Sequence, residues 1–195
     1  MRCPYCRTRL TETAEECPAC RLTLDRASKL LGPVPRLEHG VADMAGVLAR
    51  GEAAKLHKAI DRLGESFPQL KFHVLLHLFP EEHPFELHVF WLFNRGNYSS
   101  EAHKGGNNHS LLLAIDPARG RSALMTGYGL EPFLGDEALD HLLELAEPAW
   151  IAGHWAQGIH EVIRGLDRLL ASAAREAAAG FGLPSPANPR RPGEF

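Results

Sequence analysis

From Gly51 to Phe67 the apolar residues Leu56, Ile60, Leu63 and Phe67 recur at spacings of four, three and four, with Lys55, Lys58, Asp61 and Arg62 between them. That period predicts an amphipathic helix. Phe72, Val74, Leu76 and Leu78 then alternate with Lys71, His73 and His77, which predicts a strand over 72–79 ending at Pro80. Residues 84–94 satisfy both periods. Phe85, Leu87, Val89, Trp91 and Phe93 alternate as in a strand, while Leu87, Phe90, Trp91 and Asn94 share a helical face. Helix is the expectation, because Pro84 suits a first helical position and a helix here would cross over between parallel strands at 72–79 and 110–115.

Leu111 to Ile115 form an unbroken apolar run between Gly105-Gly106-Asn107-Asn108 and Asp116-Pro117, as in a strand covered on both faces. Asp116-Pro117-Ala118-Arg119-Gly120 has the composition of a hairpin loop, with Ser122 to Thr126 returning as the partner strand. Such pairing would place Thr126 level with Leu111 or Ser110, and Gly127 beside the loop before the first strand. Leu139, Leu142, Leu143 and Ala146 predict a helix from Asp136 that Pro148 ends, and Trp155, Ile159, Ile163, Leu166 and Leu170 predict a long last helix. The order of elements points to an α/β fold: a mixed sheet sandwiched between helices.

All four cysteines lie in the first twenty residues, as Cys3-Pro4-Tyr5-Cys6 and Cys17-Pro18-Ala19-Cys20. Two such turns supply the tetrahedral thiolate set that Zn2+ takes in a closed structural site, so residues 1–25 read as a zinc ribbon. So short a segment cannot bury enough apolar surface to fold unaided, and metal–ligand bonds replace a core. Iron in a rubredoxin-like sulfur site is the chemical alternative; two redox pairs or two disulfides are the others. Residues 26–40, broken by Gly32-Pro33 and Pro35, read as a linker that docks loosely, with room for one helical turn around Ser28 to Leu31. The main domain is expected over 41–178, and 179–195, rich in Pro and Gly, as a disordered tail.

Thr126-Gly-Tyr-Gly-Leu-Glu-Pro-Phe-Leu-Gly-Asp136, preceded by Asn107 to Asp116, resembles the core motif of the TPM domain family, whose founding members include a thylakoid-lumen acid phosphatase. Asp43 to Leu48 resembles the family's opening Asp-x-x-x-x-Leu turn, and Glu147-Pro148 with Gly158 its closing helical region, so the likeness covers roughly residues 40 to 170. The resemblance implies an α/β sandwich, divalent-ion binding at a carboxylate edge, and phosphatase activity in some members. Where the family has Asp-Asn-Gly this chain has Asn107-Asn108-His109, one formal charge and one glycine fewer.

Asp43, Asn107, Asn108, Glu131 and Asp136 carry the oxygen donors nearest predicted strand ends and turns, the type Ca2+ or Mg2+ accepts. The plainer reading of Asp43 and Asp136 is capping of the helices they precede, worth about 0.5–2 kcal/mol. That Asp43 joins the others at one sheet edge rests on the resemblance. Tyr128 and Glu131 are expected to line one pocket with the Asn107-Asn108 loop. There is no tandem aspartate nucleophile and no cluster of His and Asp motifs that would bridge two ions, so hydrolysis would need a metal-activated water oriented by Glu131 or Asp136, with Arg119 or Lys104 meeting a phosphate oxygen.

The chain of 195 residues is 45% hydrophobic and carries a net charge of -3, which gives no global field for nucleic acid or an anionic membrane. No apolar run reaches the roughly 18 residues of a membrane span, and no signal peptide stands at the start, so a cytoplasmic protein is expected. Three functional readings follow. One is a divalent-cation module binding a protein or a small phosphorylated ligand; the others are a metal-dependent phosphoester hydrolase and a zinc-ribbon adaptor.

Overall fold

Leu111 to Ile115 stand at the centre of the molecule, with all five side chains at or below 1% exposure. The computed structural model describes residues 2–11, 14–34, 40–96 and 109–180, the last three as backbone only. The loop that carries Asn107 and Asn108, over 97–108, and the expected tail beyond 180 lie outside the described residues. The elements are α1 (Leu24–Leu31), β1 (Val41–Asp43), α2 (Glu52–Ser66), β2 (Lys71–Leu76), α3 (Phe85–Arg95), β3 (Ser110–Asp116), β4 (Arg121–Thr126), α4 (Asp136–Ile151) and α5 (Trp155–Gly180).

The four strands lie side by side in the order β1-β2-β3-β4. β1, β2 and β3 run parallel, and β4 returns antiparallel along β3, with Leu111 opposite Thr126 as the hairpin arithmetic predicts. Phe72, Val74, Leu76, Leu111, Leu113 and Ile115 face a core closed by α2, α4 and α5. Leu75, Leu112 and Ala114 face a second core under α3, which also takes in Ala27 of α1 and the sulfurs of Cys3 and Cys17. Two-sided burial is why β3 reads as a continuous apolar run and not as an alternation. Because α2 and α3 follow successive parallel strands yet pack on opposite faces, their crossovers have opposite hands, and one is the rare left-handed kind.

The ambiguous segment 84–94 is the helix α3, with Pro84 as its N-cap at φ -56° and ψ 139°. Two expectations are corrected, and one strand was not expected. Residues 26–40 do not start as a loose tether: α1, capped by Thr23 accepting from the Arg26 amide at 3.1 Å, packs on α3 and pairs Asp25 with Arg95. Val41 to Asp43 form a strand too short to show a period. Pro148 does not end α4, which continues to Ile151. Pro148 and the residue four before it, Glu144, are both exposed, so water can satisfy the carbonyl the proline leaves without a donor. Burial of Ala149 and Trp150 in the next turn offsets the cost.

α4 and α5 meet at their tightest where Trp150 crosses Gly158, and a Cβ on residue 158 would come within 2.2 Å of the indole nitrogen. Gly158→Ala should therefore lower the unfolding free energy by about 1–3 kcal/mol in urea titrations, although alanine is the better helix former by about 1 kcal/mol. In the second core, His88 is 5% exposed, and burial with His83 nearby pushes its pKa below the ordinary value of about 6.5. His88 takes up a proton less readily in the folded than in the unfolded chain. Its contribution is thus complete above pH 6.5 and lost as pH falls toward the depressed native value. Urea midpoints should drop between pH 7.5 and 5.5, and the drop should shrink, without vanishing, in His88→Phe, since His77 and His160 shift the same way.

Candidate metal centre and carboxylate rim

The ribbon is built from two copies of one local device. In each, a Cys-Pro-x-Cys-Arg segment turns tightly: the Arg7 amide donates to the Cys3 carbonyl at 2.9 Å, and the Arg21 amide to the Cys17 carbonyl at 2.8 Å. Arg7 and Arg21 take left-handed backbone at φ 60° and 55° to complete the turns. The Cys3 amide then donates to the Thr8 carbonyl, and that of Cys17 to Leu22, at 2.8 and 3.0 Å. All four thiols are free, and the four sulfurs lie within 4.8 Å of one another. Cys3 and Cys20 are 3.7 Å apart and Cys6 and Cys17 3.6 Å.

Four sulfurs at about 2.3 Å from a tetrahedral ion are separated by about 3.8 Å, so the cluster has the dimensions of a metal site. Among the described residues it is the group of three or more His, Cys, Asp or Glu side chains placed to share an ion. A hydrogen bond with the Thr8 hydroxyl lowers the Cys6 thiol to about 6, while burial pushes Cys20 up to about 12 and raises Cys3. Cys6 is thus the thiol that most readily meets an incoming cation as a thiolate, whereas Cys3 and Cys20 give up their protons less easily.

The carboxylates divide between the two ends of the sheet. β4 delivers its chain to the amino end of β3, where the Gly127 amide donates to the Ser110 carbonyl at 2.9 Å. Buried Leu130 and Leu134 then pin the turn that follows, leaving Tyr128 and Glu131 exposed and leading into Gly135 and Asp136. Gly135 is the N-cap of α4, so Asp136 is its first helical residue. Its charge, in the first turn, favours the helix N-terminus.

Asp43 lies elsewhere. It is level with Leu76, Ile115 and Ser122 in the ladder, about 17 Å along the strands and 14 Å across them from Gly127. Its carboxylate accepts the amides of Gly46 (2.8 Å), Val47 (3.3 Å) and Leu48 (2.8 Å), closing the turn after β1 and not capping α2. The structure thus does not bring Asp43 together with Glu131 and Asp136. Nor can Arg119 meet a phosphate there: it is held at the same far end by Asp116 (2.8 Å), Glu81 (2.7 Å) and the Phe79 carbonyl (2.7 Å). Lys104 lies outside the described residues, and His109 borders a separate apolar hollow with Phe67 and Phe133.

Tyr128, Glu131 and Asp136 do share a cleft, of ≈ 1020 Å³, and its opposite wall is formed by Arg2, Arg7 and Arg9 of the ribbon. Sequence reasoning missed these arginines, since a ribbon read as loosely tethered has no fixed neighbours. Their clustering on both sides of the first cysteine pair was the available signal.

The sequence matches the TPM domain over residues 41–169. The chain belongs to the TPM domain family. No curated protein matches it. Among solved structures, it is similar to the N-terminal domain of a protein from P. gingivalis, at 24% identity and a TM-score of 0.54, covering 68% of this chain and 82% of that one. It is also similar to the N-terminal domain of the cg2496 protein from Corynebacterium glutamicum, at 15% identity and a TM-score of 0.51, covering 85% and 96%. These likenesses establish the fold alone. The TPM match begins at β1 and ends within α5, leaving the cysteine cluster outside it. No helix among the described residues is long and apolar enough to cross a membrane.

Purified without chelator, the protein should carry one metal ion per chain, and Cys17→Ser should lose it. Because Cys17 shares a core with Phe79 and Phe85, that loss should also raise amide exchange in α1 and the first turn of α3, while β3 stays protected.

Proposed function

We propose that this TPM domain protein is a binding module with two metal sites of different kinds. Zn2+ on Cys3, Cys6, Cys17 and Cys20 is structural and holds the ribbon against the sheet. A rim made of Glu131 and Asp136 with Asn107 and Asn108 takes Ca2+ or Mg2+, and through it a small phosphorylated ligand or a protein partner. What carries this reading is the cleft in which Tyr128, Glu131 and Asp136 face the ribbon arginines. Zinc is supported by the all-thiolate donor set at tetrahedral spacing, which iron would also accept but which suits a closed site without redox work. Four free thiols suit a reducing, cytoplasmic setting. Among the described residues no hydroxyl in the cleft is hydrogen-bonded to a histidine or carboxylate that would activate it, which favours the binding reading. Phosphoester hydrolysis by a metal-activated water is the second, favoured by arginines and carboxylates sharing one cleft.

Elemental analysis should give one zinc per chain. Calcium or magnesium should raise the melting temperature of the zinc-loaded protein, and Glu131→Gln should remove that shift while leaving zinc in place. No shift with either ion would refute the rim site; turnover of a phosphoester that Glu131→Gln abolishes would decide for the hydrolase.

A further inference from the structure

The floor of the cleft is an open sheet edge. β4 pairs with β3 on one side and with no described strand on the other. The Gly127 amide bonds the Ser110 carbonyl, and opposed residues of an antiparallel pair alternate between bonded and non-bonded. Gly127, Met125, Ala123 and Arg121 therefore turn their backbone groups toward β3. Ser122, Leu124 and Thr126 turn theirs outward, and these three residues line the cleft. A row of outward N–H and C=O groups at one edge is the template on which an extended peptide adds as a further strand.

The walls fix what kind of strand fits. On the α3 side stand Arg2, Arg7 and Arg9, of which Arg7 is paired with Glu86 at 2.7 Å, while Arg2 and Arg9 make no ion pair with a described carboxylate. On the α4 side stand Leu139 and Leu143 beside Asp136 and Asp140. Side chains of an added strand alternate between these walls. A second copy joined antiparallel through β4 would bring arginine wall to arginine wall, which like-charge repulsion opposes.

We infer that the free edge of β4 binds an extended peptide of alternating acidic and apolar residues, its carboxylates facing the ribbon arginines and its apolar side chains facing α4. This deepens the binding-module reading by naming the partner's chemistry, and it needs no ion at the Glu131 rim. The ribbon becomes one jaw of the site, so loss of its metal disables binding as well as the ribbon's fold.

The test uses the zinc-loaded full chain, free of calcium and magnesium, and the blocked peptide Thr-Glu-Val-Glu-Val-Glu-Thr, followed by calorimetry and amide exchange. Binding should slow exchange of the Ser122, Leu124 and Thr126 amides. The same peptide with Lys for Glu should not bind. Thr126→Pro removes an outward donor without touching the β3 ladder, and it should weaken binding by about tenfold. Arg2→Glu with Arg9→Glu, which leaves the sheet intact, should weaken it at least as much and flatten its salt dependence. Equal binding of the Lys peptide, protection elsewhere than β4, or a protein already dimeric through β4 that ignores the peptide would overturn the inference. If the peptide fails while calcium still shifts the melting temperature, this inference falls and the rim reading stands.

Discussion

Everything in this fold follows from burying β3 completely. Its seven residues are all buried, including the polar ones at its ends, so it must have a hydrogen-bonded neighbour on each edge and helices on each face. A parallel neighbour on one edge requires a crossover, which α3 supplies; an antiparallel neighbour on the other needs only the short Pro117–Gly120 turn. The strand's last residue, Asp116, is 1% exposed, and a carboxylate there must be met by donors. The Ala118 amide at 3.2 Å and Arg119 at 2.8 Å meet it, and Arg119 in turn grips Glu81 and the Phe79 carbonyl. The hairpin loop is thereby fastened to the segment that leaves β2, so the burial of one strand fixes the geometry of two loops.

The ribbon is tied to the same constraint. The second face of the sheet is covered by α3 alone among the longer helices, and α1 with the sulfur cluster supplies the rest of the cover. A metal in the cysteine site would thus do more than fold twenty residues: it would hold a rigid lid over Phe79 and Phe85. The ion pairs between Arg7 and Glu86 and between Arg95 and Asp25 are exposed and worth little in energy, but they fix the azimuth of that lid. Fixing it is what places the ribbon arginines opposite the carboxylates.

The parts legible in the sequence were those set by local rules. The β3–β4 register came from a turn of known length, and α3 was separated from a strand by Pro84, although Leu87 to Phe93 fitted both periods. β1 was not legible, because three residues carry no period and its pairing with Val74 to Leu76 is a long-range fact. The helix through Pro148 was missed because the proline rule assumes that the freed carbonyl has no other partner, and here it is solvated. The zinc-type cluster was legible because its ligands lie within seventeen residues. The site around Glu131 was legible only in part: the hairpin dictates where Gly127 goes, but nothing local says that Arg2 and Arg9 lie across from it or that Asp43 does not.

The position of Asp43 also bears on where a ligand can go. In open α/β sheets the usual crevice lies beyond the carboxyl ends of adjacent parallel strands whose following helices leave to opposite faces. β1 and β2 meet that condition, since α2 and α3 lie on opposite faces. Yet the crevice is closed by the chain itself. The amides of Met44 and Ala45 both donate to the Leu76 carbonyl, at 2.8 and 3.0 Å, drawing the turn after β1 across the end of β2. Asp43 holds that turn by accepting three further amides. The Asp116–Arg119–Glu81 clamp occupies the neighbouring strand end. With the carboxyl end filled, the surface left for recognition is the amino end and the open edge, where β4 reverses direction and the ribbon stands beside it. The Asp43 to Leu48 turn thus seals one end of the sheet and leaves the other end, with the β4 edge, as the surface open to a ligand.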